Sequence, residues 1–269
     1  MKLSVLLCVY CKNDPERLDA VFRSMERQTR PADETVVVCD GALTDGIEKV
    51  LEAHANETVK LVRSEKNVGR GAARNMGIKE CCGELIAICD ADDISVPQRF
   101  ELQLERFEND GSLAVVGGWC SERGDDDSVR VRRVPESDGE IKKMLRVRCP
   151  FNNMTVMMRK SALLKAGGYE EVNSGEDYIM WASMASNGEK SENIPQVLCC
   201  VETDLTFYKR RGGMEYFRRE RFMMKRLLEK GIIGRARYLI NVTQRFFVQV
   251  CLPNGLRRLF YRAVIRSKD

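Results

Sequence analysis

The run Cys89-Asp90-Ala91-Asp92-Asp93 places three carboxylates within four residues, directly after the apolar stretch Leu85-Ile-Ala-Ile88. Carboxylates this close repel one another and cannot all stay ionised without a cation. A hard divalent ion with oxygen ligands meets that demand. Mg²⁺ takes one or two protein carboxylates and leaves its other positions to water and substrate phosphates, so the economical partner is a nucleotide diphosphate. An Asp-rich turn capping the next helix accounts for the same residues, because acidic groups favour helix starts.

Three further constellations admit a similar choice. Asp40-Gly41 ends a second apolar run, where an aspartate can accept hydrogen bonds from a base or ribose, or close an Asx turn with Gly supplying positive φ. Asn67-Val-Gly-Arg-Gly-Ala-Ala-Arg-Asn75 offers glycines that could let the backbone approach a ligand, and Arg70 or Arg74 as a planar donor fork. It matches neither a Walker-type nor a dinucleotide glycine motif. Ser174-Gly-Glu-Asp-Tyr178 sets a carboxylate pair at a loop-to-helix junction, as a catalytic acid/base site or as a helix cap. Cys8-Val-Tyr-Cys11 has dithiol spacing, but Cys8 falls inside an apolar run and no second pair exists for zinc, so it reads as packing.

These residues must be positioned by alternating strands and helices. Leu3–Tyr10 reads as a strand buried on both faces, and Asn13 or Asp14 with Pro15 starts a helix carrying Leu18, Val21, Phe22 and Met25 at helical spacing. Strands follow at Glu34–Asp40, Val59–Arg63 and Glu84–Asp90. Helices are expected over about Gly46–Ala55 and through Glu80, the latter interrupted by Gly69, Gly71 and Gly77. This is a mostly parallel, three-layer α/β sheet, and ligands of such sheets sit at the strands' carboxyl ends, where Asp40 and Asp90 lie. Later elements are a helix over Pro97–Asn109, a strand at Leu113–Gly117, a charged hairpin or loop at Glu122–Arg133, a strand at Thr155–Arg159, helices at Ser161–Ala166 and Asp177–Asn187, and a strand at Pro195–Val201.

Composition narrows the function classes. With 269 residues and 43% hydrophobic content, the chain holds one large α/β domain or a domain plus an appendage. Its single histidine, His54, excludes multi-histidine metal sites and leaves acid–base work to carboxylates. Eleven scattered cysteines read as reduced packing thiols. No apolar run reaches a membrane-spanning length and the start lacks a signal-peptide cleavage site, so the expectation is a cytosolic protein. The net charge of +4 is uneven: residues 205–269 hold 17 Lys/Arg against 4 Asp/Glu, leaving 1–204 acidic. In Gly255–Arg266, Leu256, Leu259, Phe260, Ala263 and Val264 fall on one helical face, a basic amphipathic pattern suited to anionic lipid or to packing on the acidic part of the chain.

Taken together, these residues resemble the family 2 glycosyltransferases, enzymes of the GT-A fold that move a sugar from a nucleotide donor with inversion at the anomeric carbon. The resemblance spans roughly residues 3–213. It rests on Leu3–Tyr10, Gln28-Thr-Arg-Pro31 leading to Asp40-Gly41, Asn67-x-Gly through Ala73-Arg-Asn75, Asp90-Ala-Asp92-Asp93, and Gly175-Glu-Asp177. It implies a three-layer α/β/α, Rossmann-like nucleotide-diphospho-sugar transferase domain over 1–204, followed by a basic helical extension over 205–269.

By the same resemblance, Val9 and Tyr10 border the donor's base, Asp40 binds it, and Arg74 holds the base or phosphates. Asp90, with Ala91, faces the ribose or metal, and Asp92 ligates a divalent Mg²⁺ or Mn²⁺. Asp177, with Glu176 beside it, is the catalytic base. Tyr208-Lys-Arg-Arg-Gly-Gly213 stands where processive synthases carry Q-x-x-R-W, with Arg210 or Arg211 reaching the diphosphate, which suits addition of a single sugar. Pro150-Phe-Asn-Asn-Met-Thr155 looks like bacterial glycan-assembly relatives.

The expected activity is metal-dependent transfer from a nucleotide-sugar, UDP-linked, to a hydroxyl of a saccharide or lipid-linked saccharide in cell-surface polysaccharide synthesis. The enzyme is expected on the cytoplasmic face of the membrane, with residues 205–269 meeting anionic lipid and no nucleic-acid partner. Two other readings stay open: another nucleotide-dependent transferase, and a non-catalytic basic protein that binds nucleic acid or membrane.

Overall fold

Strands β1 (Leu3–Val9), β2 (Glu34–Asp40), β3 (Val59–Ser64) and β4 (Leu85–Asp90) pair in parallel in the order β3-β2-β1-β4. The computed structural model describes residues 1–124, 128–172, 174–203 and 212–252. The apolar run of β1 serves two cores, because alternate side chains of a strand point to opposite faces. Leu3, Val5, Leu7 and Val9 pack with helices α1 (Pro15–Glu26), α2 (Asp45–Ala53) and α4 (Arg99–Asn109), while Leu6 packs with α3 (Arg70–Glu80). Asp14 caps α1, accepting from the Glu16 and Arg17 amides, and Thr44 caps α2.

Beyond β4 the sheet turns mixed. The next strands in space are β8 (Met157–Arg159), β6 (Leu113–Gly124), β9 (Lys190–Thr203) and the short β5 (Ile94–Ser95), and β7 (Val129–Arg132) pairs with β6 off this path. The β4/β8 and β6/β8 pairs are antiparallel, and β6 and β9 run parallel. Helices α5 (Asp138–Leu145), α6 (Lys160–Lys165) and α7 (Glu176–Ser186) pack on the α3 side, completing three layers.

The structure departs from the sequence pattern in three places. Helix α3 is continuous through Gly71 and Gly77. A Cβ on Gly77 would lie 2.2 Å from Leu6 Cδ1, and one on Gly71 would lie 2.4 Å from the Glu170 carbonyl oxygen. Gly71 and Gly77 thus seat the helix against its own protein, so of the two glycines in Asn67–Asn75 it is Gly71 that does not open the backbone to a ligand, while Gly69, at φ 88°, faces open space. Strand β6 continues to Gly124, because register shifts around Gly118 and Trp119 break the alternation while pairing with β9 persists. Strand β9 starts at Lys190 in a polar stretch, where fully buried Asn193 donates to the carbonyls of Pro135 and Pro150.

The chain then forms α8 (Met214–Glu229), α9 (Arg235–Phe246) and one turn of π-helix, Phe247–Cys251. Met223, Met224 and Leu227 of α8 join the core around α7. Asn241 donates to Arg146 O at 2.8 Å and Arg245 to Val147 O at 2.6 Å, tying α9 to the segment after α5. Among the described residues, no helix is long and apolar enough to cross a membrane. Arg210, Arg211 and the amphipathic stretch 255–266 lie outside the described residues.

Candidate active site

The carboxyl ends of β1, β2 and β4 lie side by side, with Cys8 opposite Asp90 and Val9 opposite Cys39 in the ladders. Asp40 is buried, and its two oxygens accept from the Val68 and Gly69 amides at 2.6 and 3.1 Å. It therefore pins the loop that opens α3, and both of its oxygens are already engaged. Val9 and Ala91 are buried with their side chains in the core, so only their backbones can face a ligand; Tyr10 stands 39% exposed at the end of β1.

Arg74 is the centre of the site. Nη2 donates to Asp90 Oδ1 at 3.0 Å and Nη1 to Glu176 Oε1 at 2.9 Å, and the guanidinium carbon lies 5.2 Å from the centroid of the Tyr169 ring. The side chain is only 5% exposed. One cation thus joins the acidic end of β4 to the first turn of α7. The resemblance gives Arg74 to the donor's base or phosphates, whereas here two of its donors are taken by protein carboxylates.

Sequence reasoning missed Tyr169. Asn75 brackets it, donating to Tyr169 O at 2.8 Å and accepting from Tyr169 N at 2.9 Å. The ring is thereby held beside the Arg74 guanidinium. An aromatic residue a few positions before the Glu176-Asp177 pair is the only signal of this in the sequence.

Asp177 sits on the first turn of α7, behind Gly175 in the left-handed region at φ 79°. Burial, then the neighbouring Glu176 charge, raises its carboxyl above the ordinary carboxylate range, while Arg74 and the Tyr178 amide at 2.7 Å pull it down. A carboxylate kept reluctant to ionise is a proton acceptor poised nearer neutrality than a surface aspartate. Cys149, also missed by sequence reasoning, lies near enough for the Asp177 charge to help raise its buried thiol.

Among the described residues, the acidic cluster holds more negative charge than its neighbours offset. Burial and Asp90 raise Asp92, and burial with Asp90 and Asp92 pushes Asp93 up to about 8. Among the described residues, only Arg74 forms an ion pair with the cluster, through Asp90; Arg17, Arg70 and Arg99 act at longer range. A divalent cation fits this excess. Among the described residues there is no group of three or more His, Cys, Asp or Glu that could hold a metal ion. His54 plays no part: it stacks on Phe22 and bridges Asp19 and Glu26 between α1 and the end of α2.

A strand-end acidic cluster and a buried carboxylate turn are thus joined across an α/β sheet of the GT-A type. The model of glycosyl transferase family 2 matches residues 4–172, and the chain belongs to that family. It is 36% identical to a glycosyltransferase of Haemophilus influenzae, covering 99% of this chain and 100% of that one. It is 32% identical to the Escherichia coli UDP-Gal:alpha-D-GlcNAc-diphosphoundecaprenol beta-1,3-galactosyltransferase, over 98% of this chain and 97% of that one. The amylovoran biosynthesis glycosyltransferase AmsE of Erwinia amylovora is 34% identical over 81% of this chain and 82% of its own.

Solved structures share the fold at lower identity. Residues 1–349 of S. aureus TarS in complex with UDP-GlcNAc align with a TM-score of 0.68 and 18% identity, over 99% of this chain and 77% of that one. The chain spans 46% of the longer TarS structure. The Pyrobaculum calidifontis mannosyltransferase PcManGT, in complex with GDP-Man and Mn²⁺, aligns with a TM-score of 0.64 and 16% identity, over 100% of this chain and 76% of that one.

Proposed function

We propose that this glycosyltransferase transfers a sugar, with inversion and with a divalent metal, from a UDP-linked donor to a hydroxyl of a lipid-linked saccharide in surface-polysaccharide assembly. The observation that carries this reading is the Asp90–Arg74–Glu176 bridge, which brings the acidic strand end and the base-bearing turn into one site. The UDP donor and lipid-linked acceptor are supported by what the E. coli relative's name states it uses.

In this mechanism Tyr10 borders the donor's base, and Asp40 accepts from it while holding the Val68–Gly69 loop. Asp92 would hold the Mg²⁺ or Mn²⁺ ion, with Asp90 beside it facing the ribose. A bound cation there supplies positive charge to the departing diphosphate. Asp177 takes the proton from the acceptor hydroxyl as its oxygen bonds to the anomeric carbon. The bond from that carbon to the diphosphate breaks, and the nucleoside diphosphate leaves with the electron pair. A single base then suffices, which matches a chain whose one histidine is engaged elsewhere. Arg74 acts as a positioning cation, keeping Asp90 and the Glu176–Asp177 turn in register. Arg211 is assigned to the diphosphate by the resemblance alone.

We also propose that residues 205–269 rest on an anionic membrane surface at the cytoplasmic face. Leu239, Ile240, Phe246 and Phe247 stand exposed on and just after α9, in a stretch whose neighbours include Arg235, Arg237 and Arg245.

The test is a thermal-shift panel of UDP, GDP, CMP, ADP and dTDP with and without Mn²⁺. A ligand at 100 times its Kd stabilises a fold by about 2.7 kcal/mol. The expected result is a metal-dependent shift with UDP that Asp92→Ala abolishes. A shift that needs no metal, or that survives Asp92→Ala unchanged, would overturn the metal assignment.

A further inference from the structure

Gly175 and Met223 meet across the boundary between the α/β domain and the C-terminal helices. A Cβ at Gly175 would lie 1.9 Å from the Met223 sulfur and 2.8 Å from its Cγ, so the thioether occupies the space a side chain there would need. Gly175 is also left-handed, at φ 79° and ψ 17°, and is the residue from which α7 begins. Glycine is the softest residue of the backbone, with several basins open to it. A side chain seated against its Cα closes those alternatives, and the next two residues are Glu176 and Asp177.

We propose that Met223 is a positioning residue for Asp177: by lying on Gly175 it fixes the backbone of the turn that carries the base, so that the C-terminal helices form part of the catalytic unit. This rests on the reading of Asp177 as the base. Helix α8 has other anchors. Met224 and Leu227 are fully buried, Arg226 pairs with Glu170 at 2.6 Å, and Ser186 Oγ donates to Lys230 O at 2.5 Å. Trimming Met223 therefore loosens the turn without releasing the helix. A thioether is flexible and polarisable enough to conform to a bare backbone, and a leucine of similar volume retains most of that contact. A base displaced by about 1 Å costs on the order of 100-fold in rate.

The experiment uses the full chain with Met223→Ala, Met223→Leu and Asp177→Asn. UDP release is followed from UDP-galactose, UDP-glucose and UDP-N-acetylglucosamine with Mn²⁺, alongside amide exchange of residues 175–178. Met223→Ala is expected to lower kcat about tenfold or more while the donor KM stays within about twofold. It is expected to speed exchange in the turn while residues 214–229 stay protected, and Met223→Leu is expected to restore most of both.

The acid limb of kcat gives a further readout. Asp177 is surrounded by Glu176 on its own helix, Arg74 of α3, Asp90 of β4, Cys149 and Tyr169. Water entering a loosened turn moves the limb to lower pH. A folded Met223→Ala with the parent's kcat, limb and exchange overturns the positioning role. Turnover that survives in Asp177→Asn overturns the reading of Asp177 as the base instead, and where the parent releases no UDP the exchange measurement decides the contact by itself.

Discussion

Arg74 and Glu176, 102 residues apart in the chain, meet in a 2.9 Å ion pair whose side chains are 5% and 6% exposed. Taking two charges out of water costs several kcal/mol each, and the pair's attraction seldom exceeds that cost, so the bridge is weak evidence for stability. Its value lies in geometry: Asp90 on the same guanidinium fixes the acidic strand end relative to α7.

Removing one partner of such a pair leaves buried charge uncompensated, at about 3–5 kcal/mol. Arg74→Ala is therefore expected to accumulate poorly. Arg74→Lys keeps the charge, but a single ammonium lacks the planar fork that spans two carboxylates. It is expected to fold, to bind UDP within about threefold of the parent, and to lose about tenfold or more in kcat. Calorimetric UDP binding and steady-state kinetics check this. Weakened UDP binding with kcat intact would instead make Arg74 a donor ligand.

The pH dependence follows from the neighbours of Asp177. The base must be ionised to accept a proton, and both burial and Glu176 hold its pKa above the ordinary carboxylate value. The acid limb of kcat should therefore lie above the range of a surface aspartate. Glu176→Gln removes a like charge and frees Arg74 from one carboxylate, and both changes favour the ionised form. The limb is expected to move to lower pH in that variant. A limb that stays in place or moves upward would separate Asp177 from the titrating base.

Much of this site was legible in the sequence, because its parts are local. Buried parallel strands advertise themselves as continuous apolar runs, and Asp40 and Asp90 mark their carboxyl ends. The Glu176-Asp177 pair shows as charge at the start of an apolar helix. What the sequence hides is non-local. That Gly77 is seated on Leu6, or that Asn193 satisfies the carbonyls of Pro135 and Pro150, depends on residues far along the chain and leaves no periodic trace. Gly71 looks like a ligand contact for that reason, and Met223 reads as one more apolar residue of a basic helix.

Asp93 links the acidic cluster to stability. Its ordinary value of 3.8 is raised to about 8 in the folded protein by burial and by Asp90 and Asp92. The folded state thus holds a proton that the unfolded chain releases. The stability this contributes is fully present below pH 3.8 and is lost as pH rises through about 8. The melting temperature of the metal-free protein is expected to fall between about pH 6 and about pH 8.5, and Asp93→Asn is expected to flatten that slope. Excess Mn²⁺ should recover stability at the alkaline end, where the cluster is ionised. Calorimetric melts across that range decide the matter, and an unchanged slope in Asp93→Asn rules out this carboxyl as its source.

The outer face of the C-terminal helices is the remaining surface to be explained. Leu239 and Phe247 are 62% and 58% exposed, in a described stretch, residues 212–252, that carries nine Lys/Arg and three Asp/Glu. Apolar side chains set among cations are complementary to an anionic bilayer, where each basic residue near the surface adds about 1 kcal/mol. Flotation with vesicles containing anionic phospholipid is expected to carry the full chain upward, while vesicles of zwitterionic lipid leave it behind. Leu239→Ser with Phe247→Ser should reduce flotation, and raised salt should weaken it further because the charge component is screened. Neither residue is among those assigned to the site, so UDP binding should be unaffected. Equal flotation by the double variant would assign membrane attachment, if any is seen, to residues other than this face.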